Sequence, residues 1–212
     1  FNNLLNISKK TATIDVRTNA DTPQDAKKAC ELGATGIGLC RTEHMFFDPI
    51  RIKEIRKMIV ANSVEDRQKA IMKLLPFQTK DFYKILKTMD GCPVTIRLLD
   101  PPLHEFLPTT TLQIKELAKE LNMSNKQLIN KISALHEANP MLGHRGCRLA
   151  ITYPEITKMQ TLAIVQATEK LAKSGYHPCP EIMIPLVGSL GEFLHQKQLV
   201  ANIIHQYSAQ KL

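Results

Sequence analysis

The sequence contains no tryptophan and few other aromatic residues. Aromatic side chains make up 5% of its 212 residues, and Lys and Arg outnumber Asp and Glu by 28 to 20, which gives a net charge of +8. Nucleic-acid-binding surfaces usually cluster their basic residues and place aromatic side chains among them. Here the basic excess is spread over both halves of the chain, so we expect no nucleic-acid partner.

Paired cysteines and long hydrophobic runs are also missing. The five cysteines form no Cys-x-x-Cys pair and their number is odd, which argues against a disulfide framework and favours reduced thiols in the cytoplasm. No apolar run approaches the roughly 20 residues of a membrane span. No two histidines have the spacing of a zinc site on one helix. We therefore expect neither a membrane association nor a metal ligand within this chain.

The pattern of apolar residues predicts strands and helices in alternation. Strands are predicted at residues 11–18, 36–41, 94–99, 141–151 and 181–187, with helical patterns between them and after the last strand. Helix starts are marked by Thr22-Pro23, Ser63 and Ser124. Such a series predicts an α/β fold with a parallel sheet. Between a doubly wound sheet and a (β/α)8 barrel of the TIM type we favour the barrel, as a single incomplete domain over residues 1–212 with about five of the eight units.

Three arginines lie at or near the points where predicted strands are followed by loops. Arg41 ends the second strand, Arg97 ends the third, and Arg145 lies in the fourth. All strand ends of a β/α repeat face the same side, so these guanidinium groups should converge on one pocket. A guanidinium group donates parallel, charge-assisted hydrogen bonds to carboxylate and phosphate oxygens. The pocket is therefore predicted to bind a small, doubly anionic molecule.

Two of these arginines also have a purely structural explanation. Arg41 could form a salt bridge with Glu43 or another loop acid, and Arg97 could pair with Asp100. Arg148 stands only three residues after Arg145, so at most one of the two should face the pocket.

Other residues near these strand ends have weaker patterns. His44 and His104 occupy loops on the same face and could act as a general acid or base, although a loop histidine more commonly hydrogen-bonds the backbone. Cys40 next to Arg41 could be an activated thiol, but a small core thiol is the commoner case. The apolar segments Met45-Phe46-Phe47 and Phe106-Leu107 are interpreted as loop packing.

Four long segments resemble the pyruvate phosphate dikinase family of phosphoenolpyruvate-utilising enzymes. They occur in the family's order: GIGLCRTEHMFF at 36–47, TIRLLDPPLHEFLP at 95–108, NPMLGHRGCRL at 139–149 and PEIMIPLVG at 180–188. The resemblance runs from about residue 12 to residue 188 and looks like the first part of the family's C-terminal barrel, which binds phosphoenolpyruvate or pyruvate. Phosphoenolpyruvate-protein phosphotransferases and phosphoenolpyruvate synthases share the arginine-bearing strands and are the alternative, as is a non-catalytic anion-binding module.

The resemblance implies an enzyme that interconverts ATP, pyruvate and phosphate with AMP, phosphoenolpyruvate and diphosphate through a phosphohistidine carrier domain of the same parent chain. By motif position, Arg41 and Arg97 match arginines that bind phosphoenolpyruvate or pyruvate, and Arg145 matches a third near the transferred phosphoryl group. The family's Mg²⁺ ligands and its catalytic cysteine belong to later strands, so no catalytic or metal-binding residue is expected here. The chain begins at Phe1 without an initiator Met or a signal-peptide pattern. We therefore expect a fragment of a longer cytoplasmic, homodimeric enzyme, inactive by itself.

Overall fold

The computed structural model describes residues 2–209, which form a parallel sheet of four strands surrounded by helices. The strands are β1 (Arg17–Asn19), β2 (Gly36–Arg41), β3 (Pro93–Arg97) and β4 (Cys179–Met183). The helices are α1 (Asn2–Thr11), α2 (Pro23–Glu31), α3 (Pro49–Val60), α4 (Val64–Met72), α5 (Leu75–Thr88), α6 (Thr111–Glu120), α7 (Asn125–Ala134), α8 (Gly146–Thr152), α9 (Pro154–Ala172) and α10 (Leu190–Ala209). Two short 3₁₀ helices, Thr42–Phe46 and Leu103–Phe106, follow β2 and β3.

The strands lie side by side in chain order, β1-β2-β3-β4, and every pair is parallel. At least one helix follows each strand, so the described residues contain four consecutive β/α units. At the carboxyl ends of the strands, Arg41 is in register with Arg97, and Arg97 is in register with Met183. The α/β class and the parallel sheet are confirmed, and the arrangement is consistent with part of a barrel.

An ion pair joins the two edge strands across one face of the sheet. Arg17 on β1 donates from Nη1 to Oε2 of Glu181 on β4 at 2.6 Å, and Thr95 of β3 donates to the same oxygen at 2.7 Å. Gly38 of β2 leaves the room for this, because a Cβ there would lie 3.2 Å from that of Arg17. The three side chains therefore share one face of the sheet.

Helices α2, α4 and α7 begin at the residues that the sequence predicts. Thr22 accepts a hydrogen bond from the Asp25 amide at the start of α2, and Ser63 does the same for the Asp66 amide at the start of α4. Ser124 forms a full capping box with Gln127 at α7. One apolar core lies between the sheet and the inner faces of α5 and α9, and a second joins α3, α4, α6, α7 and the two 3₁₀ helices.

The predicted fourth strand at 141–151 is wrong. Helix α8 occupies its second half, and the sheet therefore has four strands where five were predicted. Gly146 has a φ of +56°, outside the strand region. Its amide donates to the carbonyl of Asp100 at 2.9 Å, and the Cys147 amide donates to that of Pro185 at 2.9 Å. These amides bond to the loops after β3 and β4, so the segment does not join the sheet.

The bounds of the first and last strands also differ from those predicted. Residues 2–11 are helical and β1 has only three residues, while Ile14 and Val16, which suggested the alternation, are 80% and 66% exposed. Strand β4 begins before residue 181 and ends at Met183. Pro185 has no amide to donate, and Leu186 has a φ of +56°, which a strand does not tolerate. Within residues 2–209, no helix is long and apolar enough to cross a membrane.

Candidate anion-binding site

The structure places Arg41 and Arg97 in register at the carboxyl ends of neighbouring strands, where Arg41 pairs with Asp21 and Arg97 is linked to Arg145 through Asp100. Arg41 and Arg97 are the last residues of the neighbouring strands β2 and β3. Arg145 is not at a strand end, which corrects that prediction. It immediately precedes α8, and it reaches the site through Asp100, to which Arg97 also binds.

Arg41 is held by Asp21, a loop acid of the kind that the sequence predicts as a partner but does not identify. Asp21 lies two residues beyond β1, and its side chain is 9% exposed. Its Oδ1 accepts from the Arg41 amide at 2.7 Å, and its Oδ2 accepts from the Arg41 Nε at 2.9 Å. The predicted alternative partner, Glu43, binds a different arginine. An acidic residue just after a predicted strand is the pattern that could have revealed Asp21, because the loops that follow neighbouring parallel strands lie close together.

Arg97 is the centre of the site and contacts two buried carboxylates. Its Nη2 donates to Oε1 of Glu43, and its Nη1 lies 3.0 Å from Oδ2 of Asp100. The structural pairing of Arg97 with Asp100 is thus confirmed. The strand end is fixed further by Thr42, whose hydroxyl donates to the Arg97 carbonyl at 2.9 Å. Among the described residues, Arg97 Nε has no acceptor, and Glu43 Oε2 and Asp100 Oδ1 have no donor.

Arg145 is anchored on both the side chain and the backbone of Asp100. Its Nη2 donates to Asp100 Oδ2 at 2.8 Å, and its Nε donates to the Asp100 carbonyl at 3.2 Å. Arg148 instead donates to the carbonyl of Leu142 at 2.8 Å. The two arginines therefore have different partners, as their separation predicts, and only Arg145 belongs to the site.

Aromatic contacts fix the loops that carry these acids. The Phe46 and Phe106 rings pack edge-to-face with centroids 6.4 Å apart, and Phe47 stacks on Phe106 at 5.3 Å. Phe46 and Phe106 are fully buried. The interpretation of these aromatics as loop packing is confirmed, and this packing couples the loop after β2 to the loop after β3.

The histidine and cysteine candidates differ in their surroundings. His44 lies at the edge of the site, with Nδ1 2.8 Å from Oδ2 of Asp21. His104 stacks on His136 with ring centroids 5.4 Å apart. Cys40 is a core thiol: burial raises its pKa to about 12, the charges of Asp21, Glu43 and Asp81 add to this rise, and Arg41 opposes it. It is therefore not an activated nucleophile.

Three cationic side chains, Arg41, Arg97 and Arg145, are matched by three carboxylates, Asp21, Glu43 and Asp100. The arginine side chains are 37%, 20% and 13% exposed, respectively. Arg41 is thus the most accessible to a ligand, while the unused Nε of Arg97 leaves one buried donor available. Guanidinium groups in this arrangement are of the kind that binds carboxylate or phosphate oxygens.

The carboxylates at the site do not fit a Mg²⁺ ion. Each of them is paired with an arginine, and no group of three or more potential ligands among residues 2–209 could hold a metal ion. No chemical step is therefore assigned to a metal here.

Comparison with known proteins identifies the class of this domain. The family model of the phosphoenolpyruvate-utilising enzymes, described as their PEP-binding domain, matches residues 1–212. The chain therefore belongs to this family, and the resemblance read from the four motifs is confirmed.

Its relatives include several pyruvate, phosphate dikinases. The enzyme of Clostridium symbiosum is 50% identical over 212 residues, which cover all of this chain and 24% of the relative. The chloroplastic pyruvate, phosphate dikinase 1 of Arabidopsis thaliana is 50% identical over 200 residues, or 93% of this chain and 21% of the relative. The enzyme of Rhizobium meliloti is 52% identical over 198 residues, or 93% and 22%. The chain thus spans about a quarter of the length of these relatives.

Proposed function

We propose that this chain is the phosphoenolpyruvate- and pyruvate-binding segment of a pyruvate, phosphate dikinase. In this proposal, the parent enzyme interconverts ATP, pyruvate and phosphate with AMP, phosphoenolpyruvate and diphosphate. The names of relatives that are about 50% identical over nearly the whole chain support the choice of this enzyme within the family. The carrier domain, the Mg²⁺ requirement, a homodimeric parent and a cytoplasmic location belong to the same proposal and come from the family resemblance.

The main support for the proposal is an unused hydrogen-bond donor on Arg97. Its buried Nε has no acceptor among the described residues, although buried donors in folded proteins are nearly always hydrogen-bonded. Arg41 is directly in register beside it on the neighbouring strand. An anion bound between the two would accept the unused Nε–H and would also reach the more exposed Arg41 guanidinium. Substrate with one carboxylate and one phosphoryl group offers oxygens for several such donors.

The role of the arginines is to bind and neutralise charge. Phosphoryl transfer depends mainly on positioning and on stabilising the charge that spreads over the phosphoryl oxygens. We propose that Arg41 and Arg97 bind oxygens of the substrate and that Arg145 lies nearest the transferred phosphoryl group. Because the described residues hold neither a metal site nor an activated thiol, we propose that the isolated chain binds substrate without turning it over.

Calorimetric titration with phosphoenolpyruvate tests this function. We expect one binding site, and we expect Arg97→Ala to weaken binding at least tenfold, since a charge-assisted hydrogen bond contributes about 1.5–3 kcal/mol. Arg148→Ala is the control, because it removes an arginine three residues from Arg145 without touching the ion pairs of the site. Equal affinities of the two variants would contradict the assignment. Formation of phosphoenolpyruvate by the isolated chain in a coupled assay would contradict the proposed inactivity.

A further inference from the structure

The charged side chains of the site balance one another before an anion binds, so a bound anion gives the site an excess of negative charge. The three arginines are matched by Asp21, Glu43 and Asp100, so these six side chains sum to zero charge before a ligand arrives. The proposed function, on which this inference rests, brings in a ligand with two negative charges. Negative charge added to a partly buried, balanced cluster favours the uptake of a compensating positive charge.

His44 is the side chain best placed to supply that charge. Its Nδ1 lies 2.8 Å from Asp21 Oδ2, and the same oxygen is 2.9 Å from Arg41 Nη2. The imidazole and the guanidinium group of Arg41 thus share a single carboxylate oxygen. The imidazole is also 49% exposed, so it can exchange protons with solvent. Imidazole is the side-chain group that ordinarily changes its charge between about pH 5 and 8.

The other groups that face His44 favour the same outcome. A cleft of 250 Å³ is lined by His44 together with residues from the loop after β1, the start of α3 and the helix α5. Among them, Arg51 is engaged by Asp81, so the cation in this cleft is already neutralised. Asp48 accepts a hydrogen bond from the Ile50 amide and carries no paired cation in the described chain. The charged residues of the cleft are Asp21, Asp48, Arg51 and Asp81.

The buried carboxyl groups are less suited to take up the proton. Glu43 and Asp100 each have one oxygen without a donor among the described residues, where a proton could sit. Both, however, are ion-paired with Arg97, and Asp100 is bound by Arg145 as well. Each of these carboxylates thus already binds a guanidinium group, whereas the imidazole of His44 is half exposed and has no cation of its own to neutralise.

We propose that His44 is a positioning residue of the anion site that takes up one proton when a dianion binds near Arg41. In the free protein, Nδ1 of the imidazole is bound to Asp21. In the complex, the imidazolium balances part of the ligand's charge, and Asp21 binds two cations. The proton comes from solvent, and no covalent bond changes. Because the ligand favours the charged imidazole, binding is tightest at low pH and weakens as the pH rises.

Calorimetric titration with oxalate from pH 6 to 8, in two buffers of different ionisation enthalpy, tests this inference. Oxalate keeps both negative charges over this range, so any linked proton comes to the protein. We expect an uptake of about half a proton or more near pH 7 and a loss of affinity of roughly tenfold between pH 6 and 8. His44→Asn keeps a donor for Asp21 but cannot become charged, and it should reduce the pH dependence to less than about twofold. His205→Asn, on the exposed face of α10, is the matched control and should behave like the unaltered chain.

The possible results separate this inference from the proposed function. Binding of oxalate with no linked proton would overturn the role of His44 and leave the anion site intact. Proton uptake that persists in His44→Asn would assign the proton to Glu43 or Asp100 and would also overturn it. If oxalate and phosphoenolpyruvate both fail to bind at every pH, the proposed function itself fails.

Discussion

Removal of the Arg97 guanidinium group should destabilise the fold as well as weaken binding. Glu43 is 10% exposed at its side chain, and Arg97 is its only partner among the described residues. Asp100 keeps the hydrogen bond from Arg145 at 2.8 Å. Breaking a buried ion pair from one side costs about 3–5 kcal/mol, because the remaining charge is uncompensated. Since only Glu43 loses its whole partner, we expect Arg97→Ala to lower the free energy of unfolding by about 3 kcal/mol.

Urea unfolding followed by far-ultraviolet circular dichroism at pH 7 measures this loss. The double variant Arg97→Ala/Glu43→Gln should recover at least about 1 kcal/mol, because its buried amide carries no charge. Arg148→Ala should stay within about 1 kcal/mol of the unaltered chain. A loss below about 1 kcal/mol for Arg97→Ala, or no recovery in the double variant, would refute this reasoning.

Three further predictions concern the sheet. The hydrogen bond from Arg17 and then that from Thr95 lower the pKa of Glu181 below its ordinary 4.5, so the ion pair stabilises the fold above that pH and is lost as the pH falls below it; Glu181→Gln should therefore flatten the decline of the melting temperature in acid, and an unchanged decline would contradict this. Gly36→Ala places a Cβ 2.7 Å from the Pro93 carbonyl oxygen and should lower the free energy of unfolding by about 1–3 kcal/mol. Gly191→Ala lies in a helix with open space around it and should raise the free energy of unfolding by up to about 1 kcal/mol. A change of the same sign for both variants in urea unfolding would refute the packing argument. Cys40, with a pKa raised to about 12, should resist thiol reagents at pH 8 until the protein unfolds, while the exposed Cys179 reacts in the folded state; mass spectrometry of the labelled peptides distinguishes them.

The strand-end arginines of β2 and β3 were predictable because local patterns mark both strands. Each is a short apolar run that begins beside a glycine or proline and ends on its arginine, and the structure places both ends at the predicted residue or within two of it. Caps with one hydroxyl side chain likewise marked α2, α4 and α7. Such features depend only on neighbours in sequence.

The errors arose where contacts distant in sequence decide the structure. The backbone amides of Gly146 and Cys147 bond to loop residues that are 46 and 38 positions away, and a local sequence pattern does not reveal such contacts. The pairing of Glu43 with Arg97, where the sequence suggests Arg41, has the same origin. Glu43 is two residues from Arg41 in sequence, yet it binds Arg97, because the sheet places the loop after β2 against the end of β3.

The central claim is that Arg41 and Arg97 bind one and the same anion. A double-mutant cycle with Arg41→Lys and Arg97→Lys, read out as the affinity for phosphoenolpyruvate by calorimetry, tests it most directly. Both positions retain a positive charge, so binding stays measurable while the guanidinium geometry is lost. We predict a stoichiometry of one and a coupling energy of at least about 0.5 kcal/mol between the two substitutions. Strictly additive effects, or a second binding site that survives in the double variant, would contradict the claim.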